Sequence, residues 1–176
     1  MTRPPFEPPS DADIAVVSSQ LGRPARGVVG IAARCICGNP TVVATRPRLD
    51  DGTPFPTLYY LSHPAATSAV STLEATGVMA ELAALLDGDD GDELRAAYRR
   101  AHESYLADRD SIEVVDEIAG FSAGGMPERV KCLHALVAHS LAAGPGVNPI
   151  GDLALQRAAW TPERCECARP GPGAPV

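Results

Sequence analysis

The chain has 176 residues, 45% of them hydrophobic and only 5% aromatic. That length suits one domain around a single core rather than two, and Ala, Val and Leu must build most of that core. The formal charge of −7 argues against nucleic acid as the default partner, because phosphate neutralisation needs a basic face. No run of about 18 apolar residues is present to span a membrane.

Residues 1–9, within MTRPPFEPPSDAD, are Pro-rich and expected to be disordered. They lack the apolar stretch of a secretory signal, so a cytoplasmic location is expected. Five cysteines in a reducing compartment read as thiols or metal ligands before they read as disulfides. Ser10-Asp11 offers a helix cap, and a short helix over Ala12–Leu21 should stop at Gly22 and Pro24.

GVVGIAARCIC then reads as a strand with Val29, Ile31, Ala33, Cys35 and Cys37 on one face and Val28, Gly30, Ala32 and Arg34 on the other. Gly38-Asn39-Pro40 turns the chain into a second antiparallel strand, TVVATR. Pro40 lacks an N–H and favours a wider loop than the tightest hairpin. After a Pro/Gly connection, TLYYLS is the third strand, ending at His63-Pro64. Helices follow: residues 65–87 with a break at Gly77, then Leu94–Asp110, Pro127–Ala143 with Pro127 as first helical residue, and about Pro149–Ala159. Strands clustered early and helices late predict an α+β fold. The expected layout is a three-stranded antiparallel sheet followed by a layer of four to five helices on one face. The expected organisation is a single domain over residues 10–160 and a flexible Cys/Pro/Gly-rich tail over 161–176.

The helix RVKCLHALVAH carries Cys132, His134 and His139. On a regular helix Cys132 and His134 diverge by about 160°, and Cys132 and His139 sit about 10.5 Å apart along the axis. These three cannot then share one ion, and ligands must come from elsewhere. The alternative is a helix packed on both sides, with Cys132 as a small hydrophobe and the histidines hydrogen-bonded between layers. Cys35 and Cys37 before a glycine turn resemble a zinc knuckle, with Cys-x-Cys in place of the commoner Cys-x2-Cys. His63 stands at the strand end, where it could equally be a capping residue. Cys165-x-Cys167 repeats the spacing in the tail, where exposed flexible chain is the plainer reading. A zinc site drawn from strand turn, strand end and helix would clip the sheet to the helices and contribute folding energy on the order of 10 kcal/mol.

Two other chemistries compete. Arg129 and Lys131 near Cys132 could lower its thiol pKa, although its position in the second helical turn lies past the strongest dipole effect. GFSAGGM before Pro127, with Arg129, could hold an anion, or be only a connector.

CICGNP, DGTPFPTLYYLSHP, AHESYLADRD, GGMPERVKCLHALVAH and GVNPIGD together resemble the bacterial domain-of-unknown-function family 501, frequent in actinobacteria. The resemblance covers residues 10–160. The family pattern falls on Cys37, Gly38, Pro40, Pro54, Phe55, Pro56, His102, Lys131, Cys132, His134 and His139. Many relatives have cysteine where this chain has His63, and Cys and His interchange at zinc sites. The resemblance also implies a genomic neighbourhood with a septum-formation initiator and an exopolyphosphatase, a loose link to division or phosphate metabolism. It supplies no catalytic residues.

These readings converge on a Cys/His metal site, with zinc expected before an iron–sulfur cluster, built from Cys37, His63, Cys132 and His134. Cys35, His102, His139 and Arg129 are additional candidates. With four ligands the site is structural; with an open position it is hydrolytic, Glu128 or His139 serving as base. The alternatives are a metal-free scaffold for a division-related protein partner, and a thiol- or phosphate-directed enzyme using Cys132 or Arg129.

Overall fold

The computed structural model describes residues 4–89 and 91–167. Helix α1, Asp11–Leu21, opens on a reciprocal cap: Ser10 Oγ accepts from the Asp13 amide, and Asp13 accepts from the Ser10 amide. Gly22 ends it in the left-handed region, where a glycine costs least. Strands β1 (Val28–Arg34), β2 (Pro40–Thr45) and β3 (Tyr59–Leu61) form one antiparallel sheet in the order β1-β2-β3. Helices α2 (Pro64–Ala75), α3 (Val78–Asp87), α4 (Asp92–Asp110), α5 (Leu133–Ala143) and α6 (Pro149–Arg157) follow, with one turn of 3-10 helix at Asp116–Ile118. The layout is the α+β one read from the sequence.

The central strand β2 is buried along its whole length, because both faces are covered. Val42 and Ala44 point into the main core with the later helices, while Val43 joins Val17 of α1 and Ile31 on the other side. Helix α1 therefore covers the second face of the sheet, where helices were expected on one face. The strict alternation expected for β1 also fails. Register irregularities between Val28 and Gly30 and again between Ile31 and Ala33 shift side chains across the sheet. Val29 and Ala33 pack on the main core, but Ile31 faces α1. Phe6 lies over Gly30, where any Cβ would collide with its ring, and Glu7 pairs with Ile31 through two backbone hydrogen bonds.

Helix α5 is the hub. Eight of its eleven residues are apolar and nine are buried, as suits a helix packed between layers. His139 stacks on Tyr59 with ring centroids 5.7 Å apart, meets Tyr105 edge-on at 5.2 Å and approaches Asn148 at 3.1 Å. Gly151 lets α6 lie against α5, since a Cβ there would collide with the Leu136 carbonyl and Ser140 Oγ.

One boundary differs with consequences for function. The expected helix from Pro127 starts only at Leu133. Gly124 and Gly125, both with positive φ, fold residues 124–131 into a compact loop closed by Lys131 N–H to the Gly124 carbonyl (2.8 Å) and Arg129 N–H to the Gly125 carbonyl (2.9 Å). Cys132 is then the residue before the helix, with extended backbone (φ −149°, ψ 108°). Among the described residues no single helix is long and apolar enough to cross a membrane.

Candidate metal centre

The turn after β1 is tight. The Cys35 amide donates to the Asn39 carbonyl (2.9 Å) and the Gly38 amide to the Cys35 carbonyl (2.8 Å), with Gly38 at φ +92°. Cys35 is buried and Cys37 exposed. Beyond α6, the buried Trp160 anchors the chain beside His63, ring centroids 5.4 Å apart. The Ile36 amide then binds the Pro162 carbonyl (3.2 Å). That contact draws the following residues across the turn, and Cys165 and Cys167 meet Cys35 and Cys37. All four sulfurs lie within 4.8 Å of one another, Cys37 and Cys167 at 3.4 Å. A tetrahedral zinc ion with bonds of about 2.3 Å spaces its sulfurs about 3.8 Å apart, so the group could hold a metal ion with little movement.

The electrostatics favour a cation. The Asn39 amide, outweighing desolvation, lowers the Cys37 thiol to about 7, with help from the neighbouring sulfurs. Cys167 is pushed up to about 12 by burial and then by the Cys37 sulfur. Cys165 is drawn down by the Cys167 amide but carried up further by Cys37 and burial. Ionising one sulfur thus opposes ionising its neighbours, and a bound divalent ion would remove that opposition.

His63 stands behind the group, fully buried. Its Nδ1 accepts from the Ala66 amide at the start of α2 (3.4 Å), which leaves the proton on Nε2. Nε2 lies 3.1 Å from Cys167 Sγ, so the ring donates to that sulfur. An N–H donor of this kind supports a ligand from the layer behind it. Burial lowers the His63 pKa, against a raising influence from Glu166, and keeps the ring neutral.

The other candidates lie elsewhere. Cys132 and His134 form a separate group with Glu74, an α2 residue the sequence reading passed over; its three donor atoms also lie within 4.8 Å of one another. The four residues Cys37, His63, Cys132 and His134 do not gather at one point among the described residues: the first two stand at the four-thiol group, the last two at the Glu74 group. The divergence argued for Cys132 and His134 assumed a regular helix, and the extended backbone at Cys132 removes it. His102 Nδ1 lies 2.9 Å from Ser122 Oγ, and His139 is enclosed in the core. Glu128 and Arg129 are exposed on the loop. Cys165 and Cys167 were visible as a repeated Cys-x-Cys spacing, but nothing local tied that segment to residues 130 positions earlier.

The family described as protein of unknown function, DUF501, matches residues 31–156. The match takes in Cys35, Cys37, Cys132 and His134 and stops before Cys165. No curated protein and no solved structure matches the chain. The chain belongs to the DUF501 family.

Proposed function

We propose that this DUF501 protein is a metal-clipped α+β domain in which Cys35, Cys37, Cys165 and Cys167 hold one zinc ion. The site is structural: four thiolates complete a tetrahedral shell and leave no position for substrate or water. Its work is to tie the segment after α6 to the β1–β2 turn, holding Ile36, which is 70% exposed, at the tip of that turn. The observation that carries this reading is the convergence of four sulfurs within 4.8 Å from two Cys-x-Cys pairs far apart in sequence. The His63 N–H on Cys167 supports it, because such a donor stabilises a thiolate rather than a thiol. An all-cysteine shell also suits iron, and metal identity separates the two.

The test is metal content per chain in untagged protein purified without oxygen or chelator. Near one zinc per chain is expected, lost in both Cys37→Ser and Cys165→Ser and kept in Cys132→Ser. Stoichiometric iron would replace zinc in the proposal. No stoichiometric metal, or zinc that survives both substitutions, would sink it.

A further inference from the structure

The Glu74 group is built differently from the four-thiol group. Glu74 Oε1 accepts from the Leu133 amide (2.7 Å) and faces His134 Nδ1 at 3.2 Å. The opposite nitrogen, Nε2, faces the Thr67 carbonyl at 3.2 Å and Ser71 Oγ at 3.2 Å. A carbonyl can only accept, so Nε2 carries a proton; the carboxylate requires the same of Nδ1. An imidazole protonated at both nitrogens is a cation. Cys132 Sγ, within 4.8 Å of its two partners, is the sulfur this cation meets.

We propose that Cys132 is a reactive thiolate, held by the His134 imidazolium and by Glu74 behind it, that exchanges with small disulfides entering the adjoining pocket. The cavity measures about 250 Å³ and is lined by Tyr59, Tyr60, Leu61 and Thr67 together with Cys132 and His134. It joins the edge strand β3 to the start of α5, and it admits a small molecule rather than a protein segment.

The charges agree with the geometry. The Cys132 sulfur pushes His134 up to about 9, against burial, with Glu74 adding to it. His134 in turn lowers Cys132, against burial and the Glu74 charge. From α4 the Tyr105 phenol also senses Cys132, and burial raises its pKa so that it stays neutral. A metal ion would need a bare imidazole nitrogen, and both nitrogens of His134 are engaged with acceptors.

Disulfide exchange fits the site better than acyl transfer. An acyl intermediate needs amide donors for its oxyanion, and the Leu133 amide, at the helix start beside Cys132, is taken by Glu74. Exchange needs only a thiolate and a way for the leaving sulfur to depart. The Cys132 thiolate attacks one sulfur of R–S–S–R. A Cys132–S–S–R bond forms, the original S–S bond breaks, and RS⁻ leaves with the electron pair. RS⁻ takes the Nε2 or Nδ1 proton of His134 and departs as RSH, and His134 is reprotonated from solvent. Cys132 is oxidised to the mixed disulfide and one RS group is reduced.

The experiment treats the full-length protein with dithiodipyridine, a small aromatic disulfide, across about pH 6 to 9, and locates adducts by peptide mass spectrometry. At the acid end an ordinary thiol is almost wholly protonated. A stabilised thiolate gains more from ionisation than it loses in intrinsic nucleophilicity, and should react about tenfold faster than Cys132 in the urea-unfolded chain. Its rate should also vary weakly with pH in this range, a readout that requires no variant. In His134→Gln, with its circular dichroism unchanged, the rate should climb with pH as for an ordinary thiol. A folded-state rate no greater than the unfolded one would overturn the proposal. So would an advantage that survives in His134→Gln, or protection of Cys132 that a chelator relieves.

Discussion

Removing the metal should loosen one segment rather than the whole domain, and the size of the effect follows from the structure. The main core joins β2 and β3 to α2–α6 and does not depend on Cys165 or Cys167. The segment after Trp160 crosses to the β1 turn through a backbone hydrogen bond, Ile36 to Pro162, and the four-thiol group. A metal that binds only the folded form stabilises it by mass action, by about 2.7 kcal/mol when free metal stands at a hundred times its dissociation constant. For a chain of this length each kcal/mol moves the melting midpoint by about 2–4 °C, so metal should contribute about 5–11 °C. Calorimetry of the parent with and without chelator, and of Cys37→Ser, measures it. Trypsin reads the same event locally, because Arg164 is exposed and lies between the Pro162 contact and Cys165. The bond after Arg164 should be cut quickly in the chelated protein and in Cys37→Ser, and slowly in the metal-loaded parent. If chelator shifts neither the midpoint nor the cleavage, the clip does not exist. An equal shift from Cys132→Ser would place the metal at the wrong group.

Three further outcomes test separate contacts. His63→Asn keeps a side-chain acceptor for the Ala66 amide but loses the N–H on Cys167; zinc affinity should fall about 10- to 100-fold, measured by competition with a chelating dye, and an unchanged affinity would remove His63 from the site. Gly151→Ala should cost about 1–3 kcal/mol in urea unfolding, because its Cβ would meet the Leu136 carbonyl of α5; a neutral result would mean that the α5–α6 contact is looser than described. Glu74→Gln preserves an acceptor for the Leu133 amide while removing the charge beside His134. The folded pKa of His134 is raised, so its stabilising contribution is complete below its unfolded value, near 6.5, and is lost as pH rises through about 9. Parent and variant should therefore differ most in melting midpoint at the acid end of that range and converge above it; a constant gap would show that protonated His134 is not what Glu74 stabilises.

The sequence carried the order of elements because the punctuation was local. Ser10 and Asp13 cap α1, Gly77 separates α2 from α3, and Asn148-Pro149 opens α6. Each signal acts within one helical turn of the boundary it sets. The features that were not legible depend on distant or cumulative geometry. The irregularities in β1 have no residue signature beyond Gly30, yet they decide that Ile31 faces α1. The start of α5 is set by the Gly124-Gly125 reversal, which lets a stretch that looks helical from Pro127 remain a loop until Leu133. Glu74 sits in an ordinary helical run, and only the packing of α2 against α5 shows that its carboxylate meets the α5 amide.

The two sulfur groups differ in their surroundings. Four thiols with no compensating cation cannot all ionise: the Asn39 amide draws Cys37 down to about 7, while burial and then the Cys37 sulfur push Cys167 up to about 12. Such a group gains most from an external ion. At Cys132 the protein itself would supply the counter-charge, with His134 standing between the Glu74 carboxylate and the Thr67 carbonyl. An added metal ion would have to displace protons that are already hydrogen-bonded. In the proposed roles, sulfur coordinates at the β1 turn, where four thiols face one another, and reacts at the start of α5, where a single thiol stands beside His134 and Glu74.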